Sequence, residues 1–362
     1  MEITRRLTDT VQAGPVSMGG RHPIVVQSMT NTRTEDAAAT LAQIRRLAEC
    51  GCEIARVAVP HLEAANSLAA IVKGSPIPVV ADIHFDHRLA LAALEAGVHK
   101  LRINPGNIGS AARVAEVVNA ARQRGVPIRI GVNAGSLGRE LLRKYGHPTP
   151  EALVESALSH VRILQDLDFH AIVISLKASD IPLTVAAYRQ LAEQVPYPLH
   201  LGITEAGTAY AGTVTSAIGI GALLLDGIGA TIRVSLTAPP EEEVRAGFAI
   251  LKALGLRRRG PRFISCPSCG RTAVDLIGLA NDIETALGGL PDPVVIAVMG
   301  CEVNGPGEAA EADIGLACGQ KASLLFQKGK VVKKLANANL AEAFVAEVHA
   351  FLAARRLEES RP

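Results

Sequence analysis

The sequence predicts an α/β chain: a parallel (β/α)8 TIM barrel followed by a smaller α+β domain. Three observations lead there. Eight short apolar, β-branched runs recur along the first two thirds of the chain, each is separated from the next by a stretch with helical spacing, and the composition changes after a basic, Gly/Pro-punctuated segment, LGLRRRGPRF. A closed barrel is favoured over an open doubly wound sheet because no Gly-x-Gly-x-x-Gly follows the first run.

The runs are IVVQSM from Ile24, EIARVAV from Glu53, IPVVAD from Ile77, VHKLRIN from Val98, PIRIGVN from Pro127, HAIVISL from His170, PLHLGIT from Pro198 and GATIRVSL from Gly229. The fifth interval is the longest, so the fifth unit carries an insertion. The first helix has capping oxygens at Thr34 and Asp36, an apolar face of Leu41, Ile44 and Leu47, and a stop at Gly51. Beyond the linker the pattern gives a helix near Val274 to Leu287, strands near Val294 to Met299, Asp313 to Ala317, Ser323 to Gln327 and Val331 to Leu335, and a last helix from Leu340. The expected domains are 1–256, a substrate-binding barrel, and 257–362, a metal-bearing domain.

Lys and Arg number 37 against 35 Asp and Glu, a formal charge of +2, so the broad cationic field of a nucleic-acid binder is missing. Aromatic residues make up 3% with no Trp, which argues against base-stacking platforms. The uncharged stretch Ala206 to Leu225 contains four Gly, three Thr and a Ser and suits a packed helix better than lipid. The first residues lack a signal-peptide core, and six cysteines are too few for a disulfide framework in a chain this long. A reduced, cytoplasmic protein without nucleic-acid or membrane partners is expected.

In a parallel barrel the strand C-termini gather at one mouth, where chemistry is done. Here they supply Arg56, Asp82, His84, Arg102, Asn104, Arg129, Asn133, Ser175, Lys177, Glu205, Arg233 and Ser235. Period-two alternation turns Arg102 with Asn104, Ser175 with Lys177, and Arg233 with Ser235 inward, leaving Ile103, Leu176 and Val234 for the helices. Any one Arg there reads well as half of a structural ion pair. The set does not, because Arg56, Arg102, Arg129, Lys177 and Arg233 face only Asp82 and Glu205, and an uncompensated buried charge is costly. A ligand with two phosphates would balance it, since the guanidinium fork matches phosphate oxygens. The loops NPGNIG from Asn104 and DGIGA from Asp226 offer backbone N–H groups. Glu205, in TEAG, is placed as a proton donor or acceptor, or as a plain counter-charge to Lys177 or Arg233. Asp82, His84, Asp86 and His87 resemble a metal site but all come from one loop, and hydrogen bonding is the better reading. Cys50 and Cys52 flank Gly51 and read as inert thiols.

The C-terminal part contains CPSCGR, with Cys266 and Cys269, and MGCEVNGPGE, with Cys301 and Glu308. Two thiols three apart on a turn plus a third in a Gly/Pro loop can grip one metal centre, and spacing alone leaves zinc and iron-sulfur open. Cys318, in phase with Ile314 and Leu316, reads as a core position.

CPSCGR and MGCEVNGPGE, with LRINPGNIG, RIGVNAGSL, ISLKASD, GITEAGT and GIGATIRVSLT, resemble the 4-hydroxy-3-methylbut-2-en-1-yl diphosphate synthase family over nearly the whole chain. That resemblance implies a 4Fe-4S cluster on Cys266, Cys269, Cys301 and Glu308, in a domain similar to those of sulfite and nitrite reductases. It implies substrate contacts at Arg56, Arg102, Arg129, Asn133, Lys177 and Ser235, with Arg233 added from the charge argument, and an acid/base role for Glu205. The substrate implied is 2-C-methyl-D-erythritol 2,4-cyclodiphosphate, the electron donor flavodoxin or ferredoxin, and the assembly a head-to-tail homodimer sharing its active site between chains. The rival readings are a barrel transferase or lyase acting on a phosphorylated substrate, with a structural zinc domain, and a non-catalytic anion-binding scaffold.

Overall fold

A computed structural model describes residues 3–301 and 312–359. The chain divides into two compact units, Met1–Arg257 and Arg258–Pro362.

The first unit opens with an antiparallel hairpin, β1 (Thr10–Ala13) and β2 (Val16–Gly19), turned by Gly14 with φ +55° and Pro15. Sequence periodicity did not reveal it, since each strand is only four residues long. The barrel strands follow: β3 (Val25–Met29), β4 (Ile54–Ala58), β5 (Val79–Asp82), β6 (Lys100–Ile103), β7 (Ile128–Asn133), β8 (Ile172–Lys177), β9 (His200–Leu201) and β10 (Thr231–Ile232). All pair in parallel, in the order β8-β7-β6-β5-β4-β3-β10-β9, and a bridge between Ile174 and Leu199 closes the ring. The last two strands are much shorter than their apolar runs suggest, because the chain leaves the ladder at Gly202 and after Ile232.

Helices fill the intervals: α1 (Ala37–Glu49), α2 (Leu62–Gly74), α3 (His87–Glu95), α4 (Ala111–Gln123), α5 (Arg139–Tyr145), α6 (Pro150–Asp166), α7 (Ile181–Ala192), α8 (Ala209–Leu225) and α9 (Pro240–Ala253). The insertion in the fifth unit is a short 3-10 turn followed by α5. Asp36 caps α1 by accepting from the Ala39 N–H at 2.9 Å, and the helix buries Ile44 and Leu47 against the sheet. The small residues of α8 allow close approach, since a Cβ on Gly219 would lie 2.5 Å from Ile203. No described helix is long and apolar enough to cross a membrane.

The outward strand residues Val57, Ala81, Ile103, Ile130, Leu176 and Val234 pack with the helices in the main core. A smaller core lies inside the barrel, where Val11, Ala13 and Met18 of the hairpin meet Val25, Ile54, Val80 and Val173. The hairpin is therefore the floor of the barrel, and each side chain so buried contributes about 1.5–3 kcal/mol. Strand register, read with the one-residue stagger per strand of a shear-8 barrel, stacks the inward residues in layers drawn from alternate strands. The lowest layer is Ile54, Lys100, Val173 and Thr231; above it lie Gln27, Val80, Arg129 and His200; above those, Arg56, Arg102, Ser175 and Arg233. Such layers are ordinarily branched apolar residues. Here only Ile54, Val173 and Val80 are.

In the second unit β11 (Arg262–Ser265), β12 (Val295–Met299) and β13 (Ile314–Ala317) run parallel, and β14 (Ala322–Gln327) and β15 (Lys330–Ala336) follow antiparallel. The β14–β15 turn has Lys328 and Gly329 both at positive φ, the geometry of a type I′ hairpin. α10 (Leu276–Leu287) and α11 (Leu340–Glu359) lay Leu279, Ile283, Phe344 and Val348 on the sheet. β11 went unread in the sequence because its neighbours in RFIS are charged or half-exposed.

Candidate active site

The mouth of the barrel is built by strands that end on charged residues. Arg56, its side chain 11% exposed, has its guanidinium against Met29 Sδ at 2.7 Å and Asp82 at 3.7 Å. Arg102 bonds Asp82 at 3.1 Å, the His84 Nε2 at 2.7 Å and the Gly131 carbonyl at 3.4 Å. Burial would raise the Asp82 carboxyl, but Arg56, His84 and Arg102 outweigh it and hold the group far below the usual carboxylate range. Burial pushes Arg56 down to about 10 and takes Lys177 and Arg129 well below their ordinary values, with the neighbouring cations adding to the shift.

Two inward glycines make room for these cations. A Cβ on Gly202 would lie 2.6 Å from Lys177 Nζ and 2.7 Å from the Arg233 carbonyl, and one on Gly131 would press into the Arg102 guanidinium. Asn104 organises the NPGNIG loop, accepting from the Gly106 N–H at 3.1 Å. Ser175 donates to the Ile130 carbonyl at 3.3 Å, while Asn133, at the end of β7, and Ser235, three residues past β10, lie half-buried.

Two expectations need correction, and one residue must be added. Glu205 is exposed and makes no ion pair among the described residues, so it is not the counter-charge of Lys177 or Arg233. Its backbone instead holds φ +54°, uncommon for a residue with a side chain and a strain of the kind found at functional sites. The carboxylate that pairs Arg233 is Glu243, 4% exposed at the start of α9, at 3.2 and 3.3 Å; it also accepts from Ser28 Oγ at 2.9 Å and the Leu236 N–H at 3.1 Å. Sequence reasoning missed it among three consecutive glutamates, although helical phase with Val244 and Gly247 marked the third as the buried one. Lastly, DGIGA precedes β10 and so lies at the floor, where Gly227 O accepts from the Arg6 N–H at 2.9 Å; it cannot serve the mouth. Among the described residues, five cations thus face two buried carboxylates, Asp82 and Glu243, and three positive charges stay uncompensated. A multiply charged anion would neutralise such a mouth.

In the second unit two thiols, Cys266 and Cys301, follow the ends of neighbouring parallel strands. β11 and β12 pair Ser265 with Val298, which brings Cys266, just past β11, beside the end of β12, and Cys301 follows two residues after Met299. Cys266 Sγ accepts from the Gly300 N–H at 3.2 Å, an amide-to-sulfur bond of the kind that tunes metal thiolates. Cys269 is exposed, and the backbone and guanidinium of Arg271 lower its thiol. Cys318 follows β13 and is wholly buried, its thiol pushed up to about 11 by burial. Cys52 is likewise inert, raised to about 12. Glu308 lies outside the described residues, and among those described no group of three His, Cys, Asp or Glu side chains is arranged to hold a metal. The donor set itself fits a metal–sulfur centre: soft thiolates, one already hydrogen-bonded through sulfur and one of lowered pKa.

The family description GcpE TIM-barrel domain matches residues 8–248, and GcpE protein C-terminal domain matches 262–350. Two relatives carry the name 4-hydroxy-3-methylbut-2-en-1-yl diphosphate synthase (flavodoxin). That of Geobacter sulfurreducens is 60% identical over 346 residues, covering 96% of this chain and 98% of the relative. That of Symbiobacterium thermophilum is 57% identical over 343 residues, covering 95% and 93%. Among solved structures, the spore coat polysaccharide biosynthesis protein spsE of Bacillus subtilis superposes with a TM-score of 0.50 at 11% identity, over 68% of this chain and 72% of that one, a likeness of fold alone.

Proposed function

The chain belongs to the GcpE family, and from that premise we infer that it is the enzyme converting 2-C-methyl-D-erythritol 2,4-cyclodiphosphate to (E)-4-hydroxy-3-methylbut-2-enyl diphosphate. Two electrons and two protons enter, a carbon–oxygen bond of the ring opens, and one oxygen leaves as water. The observation that carries the assignment of residues is the uncompensated charge at the barrel mouth. Arg56, Arg102, Lys177 and Arg233 bind the diphosphate oxygens with Arg129, one layer beneath, adding its charge to the cradle, and Asn133 and Ser235 bind the remaining polar groups. Binding exchanges the mutual repulsion of buried cations for charge-assisted hydrogen bonds, which are strong where water is excluded. Glu205, exposed and able to exchange protons with solvent, donates a proton to the departing oxygen.

Cys266, Cys269, Cys301 and Glu308 hold a 4Fe-4S cluster, which supplies low-potential electrons that no side chain can provide. Flavodoxin, named in the relatives, is the electron donor. The enzyme works as a homodimer with the site shared between chains. Tyr210, Val214, Ile218 and Leu225, exposed along α8, support self-association.

Mixing Glu205→Gln and Cys301→Ser variants, each inactive alone, tests the sharing: recovered activity in heterodimers supports it, and none despite verified subunit exchange refutes it. An anaerobic spectrum titrated with the cyclodiphosphate tests the chemistry. A broad band near ~400 nm that changes on titration is expected of an iron-sulfur centre reached by substrate; a colourless zinc protein would return the reading to a transferase.

A further inference from the structure

We propose that the barrel interior, below the mouth, holds a small monovalent anion of the chloride class between Lys100, Gln27, Arg129 and His200. Three of the four residues in the second layer carry buried side-chain atoms with no hydrogen-bond partner among the described residues: Nε2 and Oε1 of Gln27, Nε and Nη1 of Arg129, and Nε2 of His200. The fourth, Val80, closes that side. Lys100, in the layer beneath and 0% exposed, has its ammonium against Met18 Sδ at 3.3 Å, a weak acceptor. His200 Nδ1 is engaged with Thr231 Oγ1 at 2.5 Å, which leaves Nε2 turned to other partners.

Buried polar groups are nearly always satisfied, so unpartnered atoms gathered in one layer indicate a guest. Its sign follows from the inventory. The ammonium, the two guanidinium nitrogens and the amide nitrogen only donate, and Gln27 Oε1 is the one obligate acceptor. Water would meet the hydrogen bonds but not the charge. Neither of the two lower layers contains a carboxylate, and the nearest acid acting on Arg129, Asp82, is committed to Arg56 and Arg102. Its size follows from close packing: the hairpin packs below and Arg56, Arg102, Ser175 and Arg233 lie above, so a monatomic ion is favoured over a phosphate. In support, burial together with Arg129 and Arg56 presses the Lys100 ammonium toward neutrality, and burial with Arg129, Lys177, Lys100 and Arg56 does the same to His200; an anion opposes both.

Crystals of the full-length holoenzyme grown with bromide in place of chloride test this by anomalous scattering. One peak on the barrel axis within hydrogen-bonding distance of Lys100 Nζ is expected, and it should be lost in Lys100→Met. In solution, the barrel's unfolding midpoint should rise by about 3–5 °C for each tenfold increase in chloride above the dissociation constant, relative to gluconate at equal ionic strength. Lys100→Met should fold as well in gluconate and show no such rise, since an apolar side chain needs no counter-ion. A chamber without anomalous signal, bromide only at Arg102 and Lys177 in the mouth, a peak that survives Lys100→Met, or equal midpoints in the two salts each overturn the proposal. If Lys100→Met does not fold, the wild-type anomalous map decides alone.

Discussion

Glu243→Gln keeps the shape of the side chain and removes one charge, and its cost can be worked from the contacts. Oε1 accepts from Arg233 Nη2 and the Leu236 N–H, and Oε2 accepts from Ser28 Oγ and Arg233 Nε. Either orientation of an amide therefore points an NH2 at a guanidinium donor. At 4% exposure there is little water to compensate. Breaking a buried pair by neutralising one partner costs about 3–5 kcal/mol. Arg233 is 16% exposed and recovers part of its solvation, so the lower figure, about 3 kcal/mol, applies. For a unit of this size the barrel transition should fall by about 6–12 °C in differential scanning calorimetry. The variant also raises the uncompensated charge of the mouth, so saturating inorganic diphosphate should stabilise it more than it stabilises the wild type and narrow the gap. A variant that unfolds within about 2 °C of wild type, or a gap that widens with diphosphate, would refute the reasoning.

Gly202→Ala forces Lys177 Nζ aside and meets the Arg233 carbonyl, which cannot yield; steady-state kinetics should show KM for the cyclodiphosphate raised about 10- to 100-fold, whereas an unchanged KM would remove Lys177 from the cradle. Asp82, whose carboxyl is depressed in the folded state, contributes stability that is complete above the unfolded value of about 4 and is lost as pH falls toward its folded value. The stability difference between wild type and Asp82→Asn should therefore be constant above about pH 5 and shrink in acid, as measured by urea unfolding at several pH values. In metal-free protein near neutral pH, iodoacetamide should label Cys269 first and leave Cys52 and Cys318 unmodified while the fold persists, read by peptide mass spectrometry; early labelling of Cys318 would contradict its burial.

The barrel was legible because it repeats. Eight runs with alternating parity state which residue faces the helices and which the axis, and that parity alone turns Arg102, Lys177 and Arg233 to the axis. The same parity also turned Lys100 inward, two residues before Arg102, but a charge at the beginning of a strand reads as solvated unless something is known to cover it. The cover is the β1–β2 hairpin, whose contacts to Val25, Ile54, Val80 and Val173 are long-range and leave no periodic trace. Glu243 was hidden for a related reason, since its partners Ser28 and Arg233 lie 215 and 10 residues away and only the folded ring brings them together.

These two omissions have one physical root, and it bears on function. A barrel that fills its layers with branched apolar residues gains stability from each of them. This one places Lys100, Gln27, Arg129 and His200 where aliphatic side chains would serve, and it leaves Arg56 and Arg102 sharing a single acid, Asp82, while Lys177 has no ion pair among the described residues. That arrangement is unfavourable for the empty protein and becomes favourable when anions enter, so stability and ligand occupancy are tied together through the same side chains. Glu243 and the inward glycines set the limits of the strain. Glu243 neutralises the one cation nearest solvent, and Gly131 and Gly202 let Arg102 and Lys177 lie against backbone rather than against each other. A substitution that relieves the repulsion, such as Arg129→Met, should accordingly stabilise the ligand-free barrel while weakening its hold on diphosphate, the opposite of what a structural ion-pair network would do.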